Sequence, residues 1–220
     1  MFRTWRGGLA PFGTSHTKIP RVRKAAVRRA AVERKTSETE VRVELSLDGS
    51  GRSEVQTGIP FLDHMLDQLA RHGFLDLKVS AKGDLEVDFH HTVEDLGICL
   101  GKALREAIGD ASGLRRFGHA QIPMDDSLVS VSMDISGRPY LVYRVATGTD
   151  RVGNFPVELV REFFRAVSTH AGITLHIHAL EGQEAHHTVE ATFKAFARAL
   201  AEAGKRDERM KGIPSTKGSL

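Results

Sequence analysis

Residues 90–94 and 186–190 both read His-His-Thr-Val-Glu, 96 positions apart. Five identical residues, two of them histidines, do not recur at such a distance by chance. The chain is therefore an internal duplication and must fold as two similar halves. The likeness extends upstream. His64 stands eight residues before His72, which is followed by Gly73; Glu162 stands eight before His170, followed by Ala171 and Gly172. Each half then has a short strand-like run, Leu75–Val79 and Ile173–Ile177, ahead of its His-His pair.

A second repeated element lies further upstream. Val41, Val43, Leu45 and Leu47 alternate with polar residues and lead into Asp48-Gly49-Ser50-Gly51-Arg52. Val129, Val131 and Met133 alternate likewise and lead into Asp134-Ile135-Ser136-Gly137-Arg138, at an offset of 86. Period-two alternation predicts half-buried strands, and the glycine-containing ends predict turns. Residues 59–71 and 157–170 carry helical periodicity with Pro60 and Pro156 near their starts, where proline is tolerated. Residues 92–108 and 188–203 do so again and end near Gly109 and Gly204. Each half thus reads strand, turn, strand, helix, strand, strand, helix, an α+β unit, and two such units should pack on one another.

Charge and composition narrow the class. Residues 1–30 hold eight Lys and Arg and no acid, so the remainder of the chain carries about −5 and the net +3 belongs to the extension. We read 1–30 as a basic, disordered extension. A transit peptide and a nucleic-acid-binding arm are alternatives to a dispensable tail or an upstream start, and the nucleic-acid reading is the weaker. A single cysteine, Cys99, excludes a disulfide framework and a zinc-ribbon or iron–sulfur site, and suits a reducing compartment. No run approaches the roughly 18 apolar residues of a membrane-spanning helix.

The eleven histidines carry the chemistry. On a helix His90 and Glu94 point the same way, at i and i+4, whereas His91 lies about 100° round. One metal cannot take both adjacent imidazoles from a regular helix. The pattern therefore predicts two metals, each served by both copies of the motif, with Mn, Fe or Zn all compatible. Anion-binding features complement this. Arg116 follows a Gly-Leu-Arg turn, Arg138 sits in a Ser-Gly-Arg-Pro turn, and Ser215, Thr216 and Lys217 lie between glycines near the C-terminus. Such donors fit a small phosphorylated substrate. A metal-dependent hydrolase, and a histidine-rich metal storage or sensor protein without turnover, are the competing readings.

Several longer motifs resemble one family. These are Gly58-Ile59-Pro60-Phe61-Leu62-Asp63-His64-Met65-Leu66, the two His-His-Thr-Val-Glu copies, Ser136-Gly137-Arg138-Pro139-Tyr140, Phe193-Lys194-Ala195 and Pro214-Ser215-Thr216-Lys217-Gly218. Together, from about Val32 to Leu220, they resemble the imidazoleglycerol-phosphate dehydratases of histidine biosynthesis. The resemblance implies a duplicated fold of the ribosomal protein S5 domain 2-like kind, each half a four-stranded mixed sheet packed with helices. The halves would span about 31–120 and 121–205, with a phosphate-binding tail at 206–220. It implies a cytoplasmic lyase that dehydrates imidazole glycerol phosphate, assembled as a 24-mer with active sites at subunit contacts and two Mn(II) ions per site. By motif position the metal ligands would be His64, His90, His91, Glu94, Glu162, His186, His187 and Glu190. Glu162 stands where many relatives have His. The resemblance also implies that His64, His90, Glu94, Glu162 and His186 border the substrate, that His72 and Lys194 contact it, and that Arg116, Arg138, Ser215, Thr216 and Lys217 hold its phosphate. It places Glu38 at the substrate's glycerol hydroxyls, which makes Glu38 our candidate acid–base residue, with a metal-bound water or His72 as its rival.

Overall fold

In β2 (Thr39–Ser46), Val41, Val43 and Leu45 are buried while Glu40 and Arg42 face solvent; in β6 (Ser127–Asp134), Val129, Val131 and Met133 are buried. These alternating strands form the centres of two sheets in this computed structural model, which describes residues 28–220. In the first half β1 (Arg29–Lys35) and β2 are followed by β3 (Ser53–Gln56), helix α1 (Pro60–Gly73), β4 (Asp76–Gly83) and helix α2 (His90–Ile108). In the second, β5 (Phe117–Met124) and β6 are followed by β7 (Tyr140–Arg144), a small hairpin of β8 (Arg151–Val152) and β9 (Phe155–Pro156), α3 (Glu158–Ala171), β10 (Thr174–Glu181) and α4 (Ala185–Ala203). The sheet orders are β1-β2-β4-β3 and β5-β6-β10-β7. In both, the fourth strand is parallel to its neighbour and the rest are antiparallel. The expected fold, a duplicated α+β protein with two four-stranded mixed sheets, is the one observed.

Two details of the sequence reading are corrected. Each half places three strands of its four-stranded sheet, not two, before its first helix, and a single strand between its helices; the second half adds the β8–β9 hairpin ahead of α3. The offset between the sheets is 88, not 86. Ser46 pairs with Asp76 in the first sheet, and Asp134 pairs with Thr174 in the second. The twin Asp-x-Ser-Gly-Arg segments are thus not structural counterparts. A two-residue slip keeps every side chain on its own face, so alternation alone does not detect it.

The halves are joined by exchange of helix contacts. α1 of the first half packs on α4 of the second, and α3 of the second packs on α2 of the first. Gly97 and Gly101 permit the α2–α3 approach. A Cβ on Gly97 would stand 2.8 Å from Ala166 Cβ and from Phe163 O, and one on Gly101 2.8 Å from His170 Cβ. Beneath α4 the core is aromatic, with Phe163, Phe164, Phe193 and Phe196 buried and Phe164 centred 5.0 and 5.1 Å from the last two. α1 begins on Pro60, whose missing N–H costs nothing there. Matched left-handed caps end α1 at Phe74 (φ 55°) and α3 at Gly172 (φ 69°). β1 opens at Arg29, inside the expected extension. The Arg28 guanidinium bonds both oxygens of Asp48 and the Gly204 carbonyl. The rest of the extension, 1–27, lies outside the described residues. Among these residues no helix is long and apolar enough to cross a membrane.

Candidate active site

The helix exchange brings ligands from both halves together. His64 comes from the second turn of α1, and His186 and Glu190 from the first turns of α4. One oxygen of Glu190, Oε2, lies 3.2 Å from His64 Nε2 and 3.2 Å from His186 Nε2, and a ligand atom from each residue falls within 4.8 Å of the others. Two imidazole nitrogens and a carboxylate this close together are a donor set that suits a first-row divalent ion. Phe61 closes one side, its ring meeting that of His186 edge-on at 5.3 Å. Glu190 is only 5% exposed. Burial pushes its carboxyl up, but Lys194, bonded to Oε1 at 2.6 Å, and His64 outweigh that and hold it below the usual carboxylate range. The charge a metal needs is thus already present.

The second predicted ligand set is positioned but not gathered. Glu94 on α2 and Glu162 on α3 face one another across Arg165, which donates to Glu94 Oε1 at 2.8 Å and to Glu162 Oε2 at 2.6 Å. A guanidinium occupies the place between the carboxylates, and His90 is outside this group. His91 and His187 also stand apart, each ring centre 6.2 Å from that of the histidine before it. His91 Nδ1 lies 3.0 Å from Asp84 Oδ2 and 3.7 Å from Glu38 Oε2; His187 Nδ1 lies 2.7 Å from Asp126 Oδ1. An ionised carboxylate only accepts, so Nδ1 carries the proton in each; Nε2 of His91 is left for a ligand, whereas Nε2 of His187 lies 3.4 Å from Asp125 Oδ2. These bonds, with the neighbouring acids, raise both imidazole pKa values. Of eight predicted ligands the structure therefore unites three, sets two carboxylates about an arginine, leaves His90 outside both groups, and holds His91 and His187 on other carboxylates.

His72, in the last turn of α1, bonds Gln68 at 3.1 Å. Burial lowers its pKa first, and Lys194 and Arg198 lower it further. The neutral imidazole is thereby favoured.

The phosphate-binding residues expected from the sequence converge elsewhere. Arg116, Arg138, Ser215, Thr216 and Lys217 line one cavity of about 610 Å³. Arg116 is fixed in it, with Nε and Nη2 on the two oxygens of Asp134 at 2.7 and 3.0 Å and Nη1 on the Pro214 carbonyl at 2.8 Å. Arg138 is 68% exposed and 3.9 Å from Asp134, so its charge is available. The three metal-cluster residues do not line this cavity. A larger cavity, about 830 Å³, runs along the first sheet's outer face, and four of its charged residues are already paired, Lys78 with Glu54 and Arg52 with Asp76. Sequence reasoning missed Asp84, Asp126 and Arg165. None has a spacing signal, because each reaches its partner through a turn or a helix crossing.

Comparison with known proteins agrees with the geometry. The family model described as imidazoleglycerol-phosphate dehydratase matches residues 57–200. The chain is 57% identical over 196 residues to the imidazoleglycerol-phosphate dehydratase of Syntrophobacter fumaroxidans, covering 89% of this chain and 100% of that one. It is 55% identical over 193 residues to that of Geobacter metallireducens, covering 88% and 99%. Among solved structures, the imidazoleglycerol-phosphate dehydratase of Staphylococcus aureus superposes with a TM-score of 0.74 at 41% identity, over 81% of this chain and 99% of that one. IGPD from Pyrococcus furiosus gives 0.75 at 41%, over 86% and 100%. The cross-half cluster thus sits in a chain that belongs, over nearly all its described length, to the imidazoleglycerol-phosphate dehydratase family of hydro-lyases.

Proposed function

We propose that the protein carries out the metal-dependent dehydration of D-erythro-imidazole glycerol phosphate to imidazole acetol phosphate, a step of histidine biosynthesis, in the cytoplasm. The observation that carries the reading is the convergence of His64, His186 and Glu190 from two halves of a chain that also gathers a phosphate-sized set of donors. Two Mn(II) ions per site are held, in this reading, by His64, His90, His91, Glu94, Glu162, His186, His187 and Glu190. Bound metal would favour the deprotonated form of the substrate's imidazole ring, whose electron pair helps expel the hydroxyl on the attached carbon and so allows loss of the neighbouring C–H proton that no carbonyl acidifies.

The chain's own groups do the rest. Arg116, Arg138, Ser215, Thr216 and Lys217 anchor the phosphate and so fix the glycerol carbons relative to the ring. Glu38 hands a proton to the departing hydroxyl and accepts one at the neighbouring carbon. His72 and Lys194 contact the substrate. Since His91 and His187 are held on carboxylates outside the cluster, and the phosphate cavity is separate from it, a complete site needs a second copy of the chain. This supports sites at subunit contacts, and we take the assembly to be the family's 24-mer. Product formation from imidazole glycerol phosphate tests the reading. Metal uptake without any product favours the storage or sensor reading instead.

A further inference from the structure

The β1–β2 turn carries Glu38, and a buried polar network fastens that turn to α2. Within the turn, Thr36 Oγ1 accepts from the backbone N–H of Glu38 at 3.1 Å and of Thr39 at 2.9 Å. Thr39 Oγ1, 3.2 Å from Thr36 Oγ1, donates to Asp95 Oδ2 at 2.5 Å. The other oxygen of Asp95 accepts from Arg34 Nε at 2.7 Å. Thr39 and Asp95 are 4% and 7% exposed. Asp95 follows Glu94 on α2, so the network ties the turn to the helix that bears His90, His91 and Glu94.

The second half does not repeat it. The counterparts of Arg34, Thr39 and Asp95 are Ile122, Ser127 and Ala191. Ser127 bonds Thr188 at 2.9 Å instead, whereas the matching hydroxyl of Thr92 is buried without a partner among the described residues. The turns also differ in what they carry. Asp126, the counterpart of Glu38, is engaged by His187 and by the backbone N–H groups of Gln183 and Glu184. Among the described residues the Glu38 carboxylate has a single ion-pair partner, His91 Nδ1 at 3.7 Å. One half spends its turn carboxylate on structure; the other leaves it free and clamps the turn by a separate group.

We propose that Asp95 is a positioning residue: acting through Thr39, it fixes the Thr36–Thr39 turn and so holds the Glu38 carboxylate at a set place relative to α2. This rests on the reading of Glu38 as the acid–base group. Such a group works only when held to within about 0.5 Å, which a free four-residue turn does not provide.

The test compares Thr39→Val, Thr39→Ser and Asp95→Asn in the full chain reconstituted with Mn(II), alone and in a Glu38→Gln background. Thr39→Val removes the hydroxyl at nearly constant volume, and Thr39→Ser keeps it. We expect kcat to fall about tenfold or more in Thr39→Val, with KM and Mn content within about twofold of wild type and Thr39→Ser near wild type. In Glu38→Gln the added loss from Thr39→Val should be under about twofold, because the group being positioned is gone. Asp95→Asn should fall between Thr39→Val and wild type. A Thr39→Val protein with wild-type kcat, or one that loses the same factor with and without Glu38, overturns the proposal, whatever its thermal stability. Wild-type protein that forms no product removes the functional reading itself, before any variant is compared.

Discussion

His64 Nε2 lies 3.2 Å from Glu190 Oε2, although 126 positions and the whole duplication separate the two residues. The pairing exists because α1 packs on the helix of the opposite half. Glu190→Gln keeps the shape but halves the acceptor capacity and removes the anion. We expect Mn content after dialysis to drop and kcat to fall at least about 100-fold. Metal analysis beside turnover checks both, and full Mn content would argue against Glu190 as a ligand.

Glu38→Gln separates chemistry from binding. It should leave Mn content intact while kcat falls by about 100-fold or more, the usual contribution of a placed acid–base group. A near-normal rate would leave His72 as the candidate.

The two phosphate-site arginines should behave differently. Arg138 is 68% exposed, so Arg138→Ala should raise KM about tenfold with the melting temperature unchanged. Arg116 and Asp134 are 14% and 19% exposed and bonded through two pairs of atoms. Arg116→Ala should therefore raise KM and also cost about 2–3 kcal/mol, because Asp134 is left without its partner. Denaturant unfolding beside steady-state kinetics distinguishes them.

How much of this was legible in sequence depends on the range of the signal. The repeated His-His-Thr-Val-Glu and the alternation of Val41, Val43 and Leu45 are local, and they predict the duplication and both sheets. The 86-residue offset misled because a period of two is blind to a slip of two. That His64 meets Glu190 is invisible at 126 positions until the helices are known to cross. Arg165 between Glu94 and Glu162, and Asp84 and Asp126 beside the outer histidines, depend on turns and crossings that have no spacing of their own.

Gly97→Ala tests the helix crossing. Alanine gains about 1 kcal/mol in helix propensity. Its Cβ, however, would stand 2.8 Å from the Phe163 carbonyl oxygen, which is backbone and does not give way cheaply. The net expectation is a loss of about 1–2 kcal/mol in equilibrium unfolding.

His170 has a pKa lowered by burial first, then by Lys102 and Arg34. A folded-state value below the ordinary 6.5 means the unfolded chain binds this proton more readily. The stability contribution of neutral His170 is thus whole above pH 6.5 and is lost as pH falls from there toward the folded value. His170→Gln should flatten part of the fall in melting temperature between about pH 7 and 5.5. An unchanged slope would contradict this.

The most direct measurement is turnover of imidazole glycerol phosphate by the full chain after chelation and again after Mn(II) is restored. The account predicts that activity disappears with the metal and returns with it, and that Glu190→Gln does not recover. Activity that survives complete removal of metal, or none at all with the metal bound, would contradict it.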